Sequence, residues 1–539
     1  MKTKMFWIGL AASLLMYRVN AARLASDFLV EGLEKVYPLY SQFEGDMYAG
    51  LLPIDVTPNE TRGEHMFWLF VPDKPAAPDT LTIWFNGGPG CSSFQGGVFF
   101  ECGPFTTPHY PAGYPKTRYD EPLTVNEWSW TKATNMLYVE QPAGVGFSWG
   151  PAPSSEAELS QDFYNFLINF YATFPFMDSK RLFLVGESYA GMYVPSIAHK
   201  IHTENKKSKK RRRIHLTGIA IGNGWMDAEV QGPVVIDYAW WHGLIDSSTR
   251  DALKITWEEC MDGSVPMTPI FHPFTIPDDC NIMGAVLQAA GSGIFRDLAP
   301  NAYDVTTWDT YPVLDDPDST YMRFYNNPKV KEALHAPKDV YWHGCIPGAG
   351  RRLKDKKVLP GKTLLANDQP ESVVPYVAEL LDDAELKVLI YSGDRDMSTS
   401  PQGSEMLLDG MKWSGADKWK TAVRGLWMVR DQVAGYAKSH KGLDFVVVYN
   451  SGHLVPYNVP VPALDIITRL VTNQTFMDVP LPSLTMPARR VEGKHYYHNE
   501  ILTGLLMLFG AVVCFLAGRM SSRHRRPCQA RDGYEQIEM

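Results

Sequence analysis

Leu182-Phe183-Leu184-Val185-Gly186-Glu187-Ser188-Tyr189-Ala190-Gly191 is the stretch on which the fold turns. Four apolar residues form a strand-like run. A serine with small neighbours follows, and a helix-forming stretch, 190–202, begins at once. A serine on so sharp a strand-to-helix turn is presented at the end of a sheet, and small flanking residues let strand and helix cross closely. The strict pattern G-x-S-x-G stands elsewhere, at Gly146-Phe147-Ser148-Trp149-Gly150. With 43 Gly in 539 residues, chance alone supplies roughly 0.2 such matches. Its setting is also wrong: Gln141 to Val145 separate it from the strand before, and Pro151 and Pro153 bar a helix interior after it. Context outweighs the letter of the pattern, and Ser188 is the predicted nucleophile.

Working outward, short apolar runs each end in a glycine-containing loop: 81–85, 136–139, 182–185, 218–221, 388–391 and 445–449. Near-continuous runs of this length read as strands covered on both faces. Helical stretches such as 156–171 and 190–202 lie between them, so the class is α/β with a mainly parallel central sheet. From about 225 to 386 the alternation fades into irregular sequence rich in Pro, Asp and Trp. It reads as a cap inserted over one end of the sheet, where α/β enzymes carry specificity elements.

A serine hydroxyl needs a base to take its proton, and the base needs a carboxylate to hold its ring. The order expected on this kind of scaffold is Ser, acid, His. After the run 388–391 comes Ser392-Gly393-Asp394-Arg395-Asp396, and after 445–449 comes Asn450-Ser451-Gly452-His453. Both are strand-end loops in the right order, and spacing leaves Asp394 and Asp396 open. An oxyanion hole needs two backbone N–H groups, one from the residue after the serine, Tyr189, and one from an earlier loop. Asn86-Gly87-Gly88-Pro89-Gly90, directly after the run 81–85, can supply the second, because glycines let backbone approach substrate.

These residues resemble the serine carboxypeptidase family. Trp84 to Ser93 looks like its oxyanion-loop signature, Gly186 to Gly191 its nucleophile signature, and Ser451-Gly452-His453-Leu454-Val455-Pro456 its histidine signature. Gln141 to Ser148 and Ile221-Gly222-Asn223-Gly224 are further similar blocks, making Ser148 part of a non-catalytic loop. The resemblance covers roughly residues 33–470 and implies an α/β-hydrolase fold. It implies Ser188 as nucleophile, His453 as base, Asp396 as orienting acid, Gly88 and Tyr189 as oxyanion hole, and a Cys91 to Cys345 disulfide. It further implies that Trp84, Asn86 and Glu187, with Glu101, bind the substrate's free carboxylate; Glu101 sits one residue further along than the family's usual spacing. The implied activity is removal of C-terminal residues from peptides and proteins at acidic pH through an acyl-enzyme. The alternatives are acyl transfer to a small-molecule hydroxyl and an inactive binding protein on the same fold. No cofactor is implied, and the histidines show no metal-ligand spacing.

The formal net charge of -9 argues against a nucleic-acid partner. Lys2 and Lys4, the apolar run 5–15 and Val19-Asn20-Ala21 read as a signal peptide over 1–21. Residues 501–518 are eighteen without a charge, long enough to span a bilayer, with Tyr496 and Tyr497 on one side and Arg519, Arg523, Arg525 and Arg526 on the other. The expected topology is single-pass type I: a lumenal domain over 22–490 and a cytosolic tail over 519–539. The anchored architecture resembles the Golgi pheromone-processing branch of the family, and the expected location is the lumen of Golgi, endosome or vacuole, or the cell surface. Cys528 suits palmitoylation, and Tyr534-Glu535-Gln536-Ile537 resembles a signal for sorting machinery. Asn59 and Asn473 head glycosylation sequons. Five of the seven cysteines fall in the lumenal part, so one is left over, and Cys260 to Cys280 would close a short loop. The basic block 206–213 reads as a solvated surface loop.

Overall fold

The computed structural model describes residues 23–55, 62–106, 123–207, 213–261, 281–291, 300–308, 319–345, 351–352, 358–359 and 372–481. The chain divides into two compact units, Met1–Pro482 and Ser483–Met539, and every described residue lies in the first. The signal peptide, Asn59, Cys280, the span 501–518 and the tail fall outside the described residues. Among the described residues no helix is long and apolar enough to cross a membrane.

Eleven strands make the main sheet: β1 Gly45–Pro53, β2 Glu64–Pro72, β3 Thr80–Phe85, β4 Asn135–Val139, β5 Arg181–Glu187, β6 Leu216–Gly222, β7 Lys387–Gly393, β8 Arg424–Val429, β9 Gln432–His440, β10 Leu443–Val448 and β11 Val479–Pro480. Their order is β1-β2-β4-β3-β5-β6-β7-β10-β9-β8-β11. The six apolar runs are the middle strands, β4 through β10, paired in parallel throughout. Antiparallel strands flank them, β1 and β2 on one side, β9, β8 and β11 on the other.

Side chains alternate across these strands because their period is two. Leu182, Leu184, Ile219, Ile221, Val388 and Ile390 enter one core with helices α1 (Glu156–Thr173), α2 (Ala190–Lys207) and α3 (Val374–Asp382). Phe183, Val185, Leu389, Tyr391 and Val446 enter the other, against Tyr321, Phe324, Tyr325 and Trp342 and the helix Pro460–Thr472. Full burial of each large apolar side chain contributes about 1.5–3 kcal/mol. The α1 helix starts where Ser155 Oγ accepts the Glu158 N–H at 3.2 Å.

The described part of the region between β6 and β7 holds helices, a small two-stranded sheet of Arg351–Arg352 and Val358–Leu359, and loops such as 300–308. Ala228–Gln231, Val234–Trp241, Ser247–Met261, Ile282–Ala289, Thr320–Asn326 and Pro328–Ala333 are short helices. Thr320–Ala333 packs on a sheet face, and α3 packs on α2 through a Tyr376 ring stacked 4.3 Å from His199.

Candidate active site

Ser188 sits at the β5–α2 junction with φ 64°, a left-handed conformation that a non-glycine residue holds only when its surroundings enforce it. Its N–H donates to Gly222 O at 3.1 Å, and its carbonyl accepts from Trp225 N and Gly191 N, each at 2.9 Å. A Cβ on Gly186 would lie 2.6 Å from Ala190 Cβ, and one on Gly191 2.4 Å from Trp225 O, so the tight crossing requires both glycines. Ser148 has another task. It is buried, accepts Met66 N–H at 2.7 Å and donates to Glu140 O at 2.6 Å, fastening a loop to β2.

The glycine loop after β3 lies directly on this elbow. A Cβ at Gly87 would come within 2.4 Å of Tyr189 N and 2.8 Å of Ser188 Cβ, and Gly88 has φ 113°. Two glycines therefore let one backbone lie against another where an oxyanion would form. The loop is held by the Cys91–Cys345 disulfide and by Ser92 N–H donating to Gly344 O at 2.7 Å. Buried Glu140, which sequence reasoning missed, accepts from Ser92 Oγ (2.7 Å), Trp342 Nε1 (2.6 Å) and Phe147 N (2.6 Å). One carboxylate thus joins three loops.

Asp396 is fully buried and His453 nearly so. The His453 Nδ1 to Asp396 Oδ2 distance is 2.8 Å. Asn223 Nδ2 donates to the same oxygen at 2.7 Å, Thr399 Oγ1 lies 2.7 Å from it, and Ser398 N–H reaches Oδ1 at 2.9 Å. Asp394 faces away, taking the Ser451 N–H at 3.2 Å, and burial pushes its carboxyl up. Asn223 and Thr399 were not predicted. The clue to Asn223 was its strand-end block; Thr399 carried no signal beyond nearness to Asp396. Asn223 directly follows Gly222, so the elbow and the acid share one strand end. Ser188 Oγ makes no hydrogen bond to a described residue, His453 included; contacts of this kind commonly tighten only in the substrate complex.

A second buried chain runs beside the elbow. Trp84 Nε1 and Gly97 N donate to Asn86 Oδ1 at 2.6 and 2.9 Å, and Asn86 Nδ2 donates to Glu101 Oε1 at 2.9 Å. Glu101 in turn hydrogen bonds Glu187. Glu101 ends a π-helix, Phe94–Glu101, in which Val98 N bonds Ser93 O and Cys102 N bonds Gly97 O. Burial, then the Glu101 charge, holds the Glu187 carboxyl well above the usual range, and burial raises Glu101 as well, so the pair is held toward its protonated state.

Cys102 is the buried cysteine left without a disulfide. Cys260 is disulfide-bonded, with Cys280 outside the described residues. Asn473 is exposed, in left-handed conformation at the end of Pro460–Thr472. Lys206 and Lys207 of the basic block end α2. His202, Glu379 and Asp383 lie close together at the surface, where Lys206 also binds Asp383.

The sequence profile described as serine carboxypeptidase matches residues 38–473. The pheromone-processing carboxypeptidase kex1 of Aspergillus terreus is 29% identical over 482 residues, which is 86% of this chain and 70% of that protein. The venom serine carboxypeptidase of Apis mellifera is 32% identical over 440 residues, 80% of this chain and 85% of that one. Among solved structures, the prohormone-processing carboxypeptidase Kex1ΔP of Saccharomyces cerevisiae has a TM-score of 0.70 at 26% identity, covering 84% of this chain and 96% of its own.

Proposed function

The chain belongs to the serine carboxypeptidase family and is a serine-type carboxypeptidase; from that premise we propose that Ser188, His453 and Asp396 are its nucleophile, base and orienting acid. The observation that carries the assignment is the 2.8 Å contact of His453 Nδ1 with buried Asp396, beside the elbow serine. With Nδ1–H donated to Asp396, Nε2 is the basic nitrogen. It takes the Ser188 proton as Oγ attacks the last peptide carbonyl, then returns it to the departing amino acid. The amides of Gly88 and Tyr189 meet the oxyanion, and water cleaves the acyl-enzyme by the same relay reversed.

Trp84, Asn86, Glu101 and Glu187 bind the free carboxylate of the substrate. A protonated Glu187 donates to that carboxylate, whereas two ionised glutamates would repel it. Because burial raises the Glu187 pKa, the binding form is present below that raised value and is lost as pH rises through it. Peptide cleavage therefore favours acidic pH. Acyl transfer to an alcohol would use the same triad, but the relatives found are carboxypeptidases.

The remaining assignments rest on sequence: a signal peptide over 1–21, a lumenal domain over 22–490 with its cap at about 225–386, a span over 501–518, and a cytosolic tail with a sorting motif. The Golgi-to-vacuole lumen suits an acid-favouring enzyme. Exposure of Asn473 supports its glycosylation.

Purified protein and its Ser188→Ala variant are compared on N-blocked dipeptides, with free amino acid as readout. The variant is expected to lose at least about 10³-fold in kcat, and an active-site phosphonate is expected to label only the parent. Turnover unchanged in the variant would refute the nucleophile. A product other than the C-terminal amino acid would refute the reaction. Retention of the chain in the pellet after alkaline carbonate extraction tests the span.

A further inference from the structure

A tetrapeptide from the region between β6 and β7 reaches into both catalytic loops. Ala302 O accepts Met397 N–H at 3.0 Å and Ser398 N–H at 3.1 Å, and Val305 N–H donates to Arg395 O at 3.0 Å. Tyr303 O accepts His453 N–H at 2.7 Å. Four backbone hydrogen bonds thus tie the Asp396 loop and the His453 loop to residues 302–305. Gly452 shows how close the approach is: a Cβ there would stand 2.3 Å from Tyr303 O and 2.8 Å from Asp304 Cβ. The segment is itself stiff. Asn301 Oδ1 accepts Tyr303 N–H at 3.0 Å, and Asp304 Oδ1 accepts Thr306 N–H at 3.0 Å, giving side-chain-closed turns on either side of Tyr303.

The Tyr303 ring lies 4.8 Å from the His453 imidazole, centroid to centroid, with the planes at 54°. Burial, then the charges of Asp396 and Glu187, push its phenol up to about 12, so the ring stays neutral beside the imidazole.

We propose that Tyr303 is a positioning residue for the base, its carbonyl anchoring the His453 backbone and its ring fixing the tilt of the imidazole. This rests on His453 being the base. A histidine held only at Nδ1 can still swing about that hydrogen bond, carrying Nε2 away from Ser188 Oγ. A ring packed on one side removes that freedom, and misplacement of about 1 Å costs on the order of 10²-fold in rate.

The test uses the full chain carrying Tyr303→Phe, Tyr303→Leu or His453→Ala, with kcat, KM and pH profiles on N-blocked dipeptides and melting curves as folding control. Tyr303→Phe is expected to keep kcat within about twofold. Tyr303→Leu is expected to lose about tenfold or more in kcat, with KM within about twofold and the acidic limb of its pH profile displaced. Wild-type kcat and acidic limb in the Leu variant would overturn the proposal. So would equal rises in KM for Phe and Leu with kcat intact, since the hydroxyl would then be a substrate contact. Turnover surviving in His453→Ala would overturn the base assignment instead.

Discussion

At Asp396, one oxygen holds three neighbours: His453 Nδ1, Asn223 Nδ2 and Thr399 Oγ1. Taking one away leaves a buried carboxylate short of a donor, which costs about 1–3 kcal/mol, and turns its affinity for the ring. Asn223→Ala is therefore expected to lower kcat about tenfold with KM little changed, measured by steady-state kinetics on N-blocked dipeptides. Glu187 makes a different prediction. Its proton is retained to a raised pKa because the side chain is buried beside Glu101. Glu187→Gln donates a hydrogen bond at every pH, so KM for peptides should lose its rise toward neutral pH while peptide binding at acidic pH persists. A KM profile in that variant parallel to the parent's would remove Glu187 from carboxylate recognition.

Among elements, the π-helix Phe94–Glu101 brings Glu101 to Asn86 at 2.9 Å through one wide turn. The turn passes so close to Asn86 that a Cβ on Gly96 would stand 2.2 Å from Nδ2. Gly96→Ala should therefore displace Asn86 and raise KM for peptides by about tenfold or more, while leaving turnover of a substrate lacking a free carboxylate nearly unchanged. Comparison of an N-blocked dipeptide with its C-terminal amide separates the two. The six central strands were legible because a strand covered on both faces has to be apolar at every position. The antiparallel flanking strands were not: β9, with Gly435, Lys438, Ser439 and His440, is half solvated and shows no such run.

Over the whole molecule, the oxyanion loop and the segment that covers one sheet face are joined by Cys91–Cys345, 254 residues apart in sequence. Closing so long a loop restricts the unfolded chain strongly, so replacing both cysteines by serine is expected to lower stability by about 2–5 kcal/mol, read from urea unfolding. Unchanged unfolding would mean that Glu140 and the surrounding core hold the loop alone. By itself the sequence determined the α/β class and pointed to the elbow serine and to an acid and a histidine on later strand-end loops, because these depend on local apolar runs and on small residues at a turn. The residues alone left Asp394 and Asp396 open and only the resemblance pointed to Asp396; the tertiary structure sets Asp396 on His453 and adds Asn223, Thr399, Glu140 and Tyr303 as neighbours. Each of those is a contact between side chains far apart along the chain, and distance in space is set by packing across the sheet, which no local pattern encodes.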